Sequence, residues 1–137
     1  MAPLLYLKGS LLPQVEENED TFSERYVTEE QWEAVFKPLR EKFGPGDVYY
    51  VHDHNYDTVE VSLADNLADI YQDMKDFVML YQKNLTFSRQ NAVAQVRSLF
   101  YDHWGLRVLD ALRATHNLLF KDRIDPDFFE SDNEWLL

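Results

Sequence analysis

The sequence predicts an all-α fold: a small bundle of about four helices, the last of them long, with an irregular acidic connector and an acidic tail. Three observations predict this class. Apolar residues recur every three to four positions along most of the chain, capping residues precede these stretches, and the segment richest in β-forming residues is short. With 137 residues and an apolar fraction of 45%, the chain can bury one core, so we expect a single helical domain over residues 1–137.

The first helix is expected in residues 3–12, PLLYLKGSLL, because Pro3 is tolerated in a first turn and Pro13 ends a helix. This segment is apolar almost from its first residue and has no polar N-cap. We therefore expect the natural chain to have further sequence before it.

Residues 14–30 contain seven acidic residues and one basic residue, Arg25, so we expect a solvated, mobile connector there. The second helix should begin after Thr28, whose hydroxyl can cap it while Gln31 reaches back, and should end at Phe43 before a Gly-Pro pair. Its buried face is expected to contain the apolar residues at helical spacing, namely Trp32, Val35, Phe36, Leu39 and Phe43.

Residues 46–61 mix β-branched and aromatic residues with turn formers, so we expect an irregular or partly extended crossing, at most a two-strand ribbon. Ser62, with Asp65 three residues later, marks the start of the third helix, which should run to about Gln82. Its apolar stripe should consist of Leu63, Leu67, Ile70, Met74, Phe77, Val78 and Tyr81.

Ser88 is expected to cap the last helix, which should reach Lys121 in one phase through Gly105. At 1.5 Å per residue such a helix is roughly 50 Å long, so it must bend at Gly105, project, or contact a partner. The tail, residues 121–137, is acidic and either packs on the domain or extends free. Three leucines away from the main stripe predict a second packing neighbour, namely Leu99, Leu106 and Leu109.

Composition excludes several classes of function. The 25 acidic residues against 13 basic ones give a formal charge of −12, which argues against binding to nucleic acid. The chain has no cysteine, which excludes disulfides and thiol chemistry. No apolar run approaches the roughly 20 residues of a spanning helix, and the opening segment lacks the basic start of a signal peptide. We therefore expect a cytoplasmic protein that contacts no membrane.

Imidazoles and carboxylates lie together in the tract from His52 to Asp57, HDHNYD, which leaves two alternatives. One is a metal site, since these ligands suit several divalent metals. The spacing begins like a calcium loop at Asp53, but Thr58 and Ala64 occupy the positions of the required Gly and Glu. We favour the other alternative, a polar surface turn whose Asx side chains bond their own backbone.

Four aspartates recur along one flank of the third helix, namely Asp65, Asp69, Asp73 and Asp76. Such a stripe could hold two metals, but helical carboxylate sites usually include Glu-x-x-His pairs, and neither His103 nor His116 has a Glu three residues before it. We favour a solvated flank, partly paired with Lys75, Arg107 or Arg113.

His103, Arg107 and Asp110 share a face of the last helix, where a histidine beside a carboxylate could act as a general base. No positioned nucleophile or oxyanion hole accompanies them, so we predict no catalytic, cofactor or metal site and favour a protein without enzymatic activity. We instead expect His103 or Arg107 to pair with an aspartate of the preceding helix, and Gly105 to allow that helix to approach closely.

Two motifs, ADIYQDMKDFV and DHWGLRVLDALRATH, resemble an uncharacterised bacterial family known only as a domain of unknown function, and PLLYLKGSLLP is similar to the same family. The resemblance covers most of residues 3–120. It implies a small, mainly helical bacterial protein and brings no activity with it.

The function expected from the sequence is a helical protein-interaction or self-assembly module whose partner is another protein or a second copy. The expected surface contains Leu99, Leu106, Leu109, Asp69, Asp73, Asp76, His103 and Arg107. The alternative is a metal-binding protein or enzyme that uses the His52–Asp57 tract or the aspartate stripe.

Overall fold

The computed structural model describes residues 1–17 and 24–121. Most of these residues are helical, and two short strands form an antiparallel ribbon. The elements in chain order are α1 (Ala2–Ser10), α2 (Glu29–Phe43), β1 (Val48–His52), β2 (Thr58–Ser62), α3 (Leu63–Gln82), α4 (Thr86–Leu99) and α5 (Gly105–Phe120).

The helix predicted after Thr28 is confirmed with its bounds, because both of its ends are set locally. Thr28 Oγ1 accepts from the Gln31 amide at 3.2 Å, and Gln31 Oε1 accepts from the Thr28 amide at 3.2 Å. Gly44 ends α2 with a φ of 52°, a conformation that favours glycine. Pro38 lies inside the helix without ending it.

The ribbon corrects the predicted fold class, which is mainly helical but not purely all-α. In β1 and β2, His52 lies opposite Thr58 and Val48 lies opposite Ser62. The β-branched and aromatic residues of both strands favour this pairing over a helix. The ribbon leads directly into α3, which begins at the residue after β2.

The start of α3 depends on a buried carboxylate that the sequence analysis did not single out. Ser62 Oγ accepts from the Asp65 amide at 3.1 Å, as predicted. Asp47 is 3% exposed, and its carboxylate accepts from Ser62 Oγ at 2.6 Å and from the Ala64 amide at 2.7 Å. Two free amides at the helix start are thereby satisfied.

The last helical stretch differs from the predicted single helix in two respects. It begins at Thr86 rather than after Ser88, which is buried inside α4. A π-helical turn, Phe100–Trp104, separates α4 from α5. A Cβ at Gly105 would overlap the carbonyl oxygen and the ring of Phe100, so this glycine serves the π-turn itself rather than the approach of another helix.

The core lies where α1, α3 and α5 meet around Trp104, which is 1% exposed. Trp104 Nε1 donates to the Val96 carbonyl at 2.9 Å. Gly9 of α1 lies against the rings of Trp104 and Phe100, where a Cβ would overlap them. None of the described helices is long and apolar enough to cross a membrane.

Candidate functional site

The aspartate stripe of α3 is not the solvated flank that we favoured from the sequence. The Asp73 side chain is fully buried and that of Asp76 is 3% exposed, whereas Asp69 is 16% exposed. These carboxylates face oppositely charged side chains from two other parts of the chain. We call this group the charged cluster, and its members are Arg25, Asp69, Asp73, Asp76, His103 and Arg107.

The buried end of the charged cluster holds the segment before α2. Arg25 Nη2 donates to Asp73 Oδ1 at 3.0 Å, and Arg25 Nε lies 2.8 Å from Asp76 Oδ2 as an ion pair outside hydrogen-bond geometry. The amides of Tyr26 and Val27 both donate to Asp76 Oδ1 at 2.8 Å. Residues 25–27 of the predicted connector are therefore held on α3, with the Arg25 side chain still 39% exposed, while residues 18–23 lie outside the described part.

The other end of the charged cluster joins α3 to the last helical stretch. Arg107 Nε donates to Asp69 Oδ2 at 2.7 Å, and Trp32 Nε1 of α2 donates to Asp69 Oδ1 at 2.9 Å. His103 Nδ1 forms a hydrogen bond with Asp73, and its Nε2 lies 3.6 Å from Asp69 Oδ2. The predicted pairing of His103 and Arg107 with aspartates of α3 is confirmed.

The carboxylates of the charged cluster are paired within the chain. Buried carboxylates require charged or donor partners, and Asp69, Asp73 and Asp76 all have them within the chain. Within residues 1–17 and 24–121, no group of three or more His, Asp or Glu residues is arranged to hold a metal ion.

Asp65, the first aspartate of the stripe, lies one turn before Asp69 near the start of α3, and we do not count it in the charged cluster. It is half-buried, and burial raises the pKa of its carboxyl, with a further contribution from the negative charge of Asp69.

The His52–Asp57 tract forms the turn of the ribbon. Asp53 Oδ1 accepts from the amides of Asn55 at 2.8 Å and Asp57 at 3.0 Å, which is the Asx turn that we favoured. Tyr56 adopts a φ of 64°, is 88% exposed, and donates its amide to the Asp53 carbonyl. The carboxylate of Asp53 thus serves to close the ribbon.

The three leucines predicted to share an interaction face do not share one environment. Leu99 packs against the core beside Phe77. Leu106 is 57% exposed and Leu109 is 41% exposed. The π-turn between them separates Leu99 from the other two along the helix.

An apolar groove lies between α1, α3 and α5, with a volume of about 480 Å³. Leu4 and Leu5 of α1 form one wall, Leu67 and Ile70 of α3 the second, and α5 the floor with Val108. Sequence analysis missed this groove because it depends on how α1 packs. The remaining lining residues are Met1, Ala2, Lys8 and Ala111.

A second, more polar opening of about 560 Å³ separates β1 from α5, and we call it the edge cleft. Residues 49–52 of β1 line one side, and Asp110, Arg113 and Asn117 line the other together with Ala114. Burial raises the pKa of the Asp110 carboxyl, an effect that Arg107 and Arg113 oppose. Burial and the nearby Asp110 raise the pKa of Tyr49 to about 12.

Comparisons with known proteins place the chain in a family and identify a similar structure. A family described as a domain of unknown function, DUF5063, matches residues 1–121. The crystal structure of protein BF1032 from Bacteroides fragilis, a structural genomics target, is similar with a TM-score of 0.75 at 34% sequence identity. That similarity covers 85% of this chain and 70% of the Bacteroides chain. No curated protein matches this sequence.

Proposed function

The chain belongs to the DUF5063 family, a domain of unknown function, as the two sequence motifs indicated, and we propose its function from its surfaces. We propose that it is a protein-interaction module without enzymatic activity that associates with a second copy of itself through the apolar groove. The single observation that carries this proposal is the groove's apolar lining, which three different helices build.

The exposed side of α1 supplies a surface that fits such a groove. Leu4 and Leu7 of α1 and Leu11 directly after it are 52%, 53% and 71% exposed and recur at helical spacing. Leu4 lies on the rim of the groove, so the ridge formed by these three leucines adjoins the groove. A twofold arrangement would place the ridge of each copy against the groove of the other, as isologous contacts require.

The charge of the groove favours this contact. Lys8 is the one charged side chain among the residues that line it, although the whole chain has a formal charge of −12. Repulsion between two acidic copies is therefore weak at this surface, since exposed charges farther away are screened by salt. Each half-exposed leucine that becomes buried would contribute about 1 kcal/mol to association.

The test is size-exclusion chromatography with light scattering over a range of concentrations. We expect a dimer for the wild-type chain, and at least tenfold weaker association for Leu4→Glu combined with Leu7→Glu, because two charges would enter an apolar interface. Gln82→Glu, an exposed polar position on α3, is the matched control and should associate like wild type. A wild-type mass that stays monomeric at the highest concentration would contradict the proposal.

The same measurement tests the smaller surface formed by Leu106 and Leu109. Leu106 lies two residues from Val108, so the two side chains point to opposite sides of α5, and Leu106 does not border the groove. Loss of association in Leu106→Glu with full association in the double variant would assign the contact to Leu106 and Leu109. Asp69, His103 and Arg107 are partly exposed, and their contribution to a partner contact stays a prediction.

A further inference from the structure

The edge cleft shares no residue with the apolar groove, and part of its lining comes from the strand β1. Side chains of a strand alternate between its two faces, so a pocket on one face is lined by every second residue. Here residues 49, 50, 51 and 52 all line the cleft. The cleft therefore runs along an edge of β1.

This edge has no strand partner in the described part of the chain. β1 pairs with β2 alone, and the ribbon has two strands. The Asp53 amide donates to the Asp57 carbonyl, so these two residues occupy the position of a hydrogen-bonded pair in the register, although the Asp57 amide donates to Asp53 Oδ1. Because such pairs alternate along an antiparallel ladder, the backbone groups of Val51 and Tyr49 point to β2, and those of His52 and Tyr50 point to the edge cleft.

The opposite wall supplies charged groups that have no hydrogen-bonded partner among the described residues. Asp110, Arg113 and Asn117 follow one another at helical spacing along the side of α5 that lines the cleft. Among the described residues, neither Asp110 nor Arg113 forms a hydrogen bond or an ion pair within 4.0 Å. The Arg113 guanidinium, whose charge also acts on Asp110, keeps its donors for a carboxylate, and the Asp110 carboxylate can accept from a donor.

We propose that the edge cleft binds an extended acidic peptide segment of a partner protein by strand addition to β1. The backbone of the peptide pairs with Tyr50 and His52, and a carboxylate of the peptide pairs with Arg113. Backbone pairing supplies affinity in this mode, while the side chains of the opposite wall supply selectivity. The lined part of β1 is about 13 Å long, which accommodates about four residues of an extended chain.

The first step of the test is selection of random hexapeptides displayed on phage against the full-length wild-type chain, with Arg113→Glu for counter-selection. We expect enrichment of sequences that combine β-branched residues with Asp or Glu. A synthetic peptide from this selection should bind Arg113→Ala at least tenfold more weakly than wild type. Arg89→Ala removes an arginine from α4, far along the chain from the cleft, and should bind within twofold of wild type.

The second step measures amide hydrogen exchange by NMR in the free and peptide-bound chain. Strand addition predicts slower exchange at Tyr50 and His52 on binding, with little change at Tyr49 and Val51, whose amides already face β2. Absence of any enriched peptide overturns the proposal, as does binding that leaves Tyr50 and His52 unchanged. Slow exchange at these two amides in the free chain also overturns it, because the chain itself would then occupy the edge.

Discussion

At the scale of single residues, Tyr56 has a backbone conformation that its side chain opposes. Its φ of 64° lies in the left-handed region, where a Cβ is unfavourable. Tyr56 is 88% exposed, so replacing it removes little buried surface. We expect Tyr56→Asn to raise the free energy of unfolding by about 0.5–1 kcal/mol, because asparagine adopts this conformation more easily. Urea unfolding measures the change, and an unchanged or lower midpoint would contradict it.

Asp110 provides a prediction that depends on pH. Burial raises the pKa of the Asp110 carboxyl in the folded chain above its value in the unfolded chain. The contribution of this carboxyl to the free energy of unfolding is therefore fully present at a pH below the unfolded pKa, and it is lost as the pH rises through the folded pKa. Asp110→Asn should therefore raise the melting temperature at pH 7 and leave it unchanged near pH 3. Asp102→Asn, at an exposed position of the preceding turn, is the control. An equal effect of Asp110→Asn at both pH values would rule out this origin.

The burial of Asp73 and Asp76 shows what single residues in a sequence do not reveal. Aspartates at helical spacing are usually solvated, and their partner Arg25 lies 48 residues from Asp73 in a stretch of acidic residues. Pairing with His103 and Arg107 could be predicted because these residues lie on a neighbouring helix. The contact with the segment before α2 could not, since no local pattern specifies it.

At the scale of elements, the ends of α2 and the start of α3 could be predicted because capping residues act within a few positions. The interruption between α4 and α5 was missed, although a pattern in the core indicates it. In an ideal α-helix, four residues make one turn plus about 40°, so side chains spaced by four residues drift around the helix. A straight stripe of buried side chains at that spacing therefore requires local unwinding of the helix. The π-turn provides it. The buried residues recur every four positions, namely Ala92, Val96, Phe100, Trp104 and Val108.

The packing of α1 depends on one small residue. Gly9 lies where a Cβ would overlap the rings of Trp104 and Phe100, both of which are fixed in the core. We expect Gly9→Ala to lower the free energy of unfolding by about 1–3 kcal/mol, because the core has no space for a methyl group. Ser10→Ala, at an exposed position of the same helix, should change it little. Urea unfolding compares the two, and equal stabilities would show that α1 can shift without cost.

At the scale of the whole molecule, the sequence indicated a mainly helical chain and its family, because periodicity and motif spacing extend over many residues. It did not indicate the apolar groove or the edge cleft. Each of these surfaces is formed by elements that are distant in sequence, α1 with α5 and β1 with α5. Surfaces of this kind depend on tertiary packing, for which single-residue patterns contain no information.

The charged cluster also has a consequence for the order in which the chain folds. Helices α3 and α4 are neighbours in sequence and can pack after closing a short loop, whereas Arg25 and Tyr26 must meet Asp73 and Asp76 across 48 and 50 residues. Contacts of large sequence separation have a higher entropic cost and tend to form late. Interactions absent from the transition state slow unfolding without speeding folding. The buried aspartates therefore act mainly on the lifetime of the folded chain.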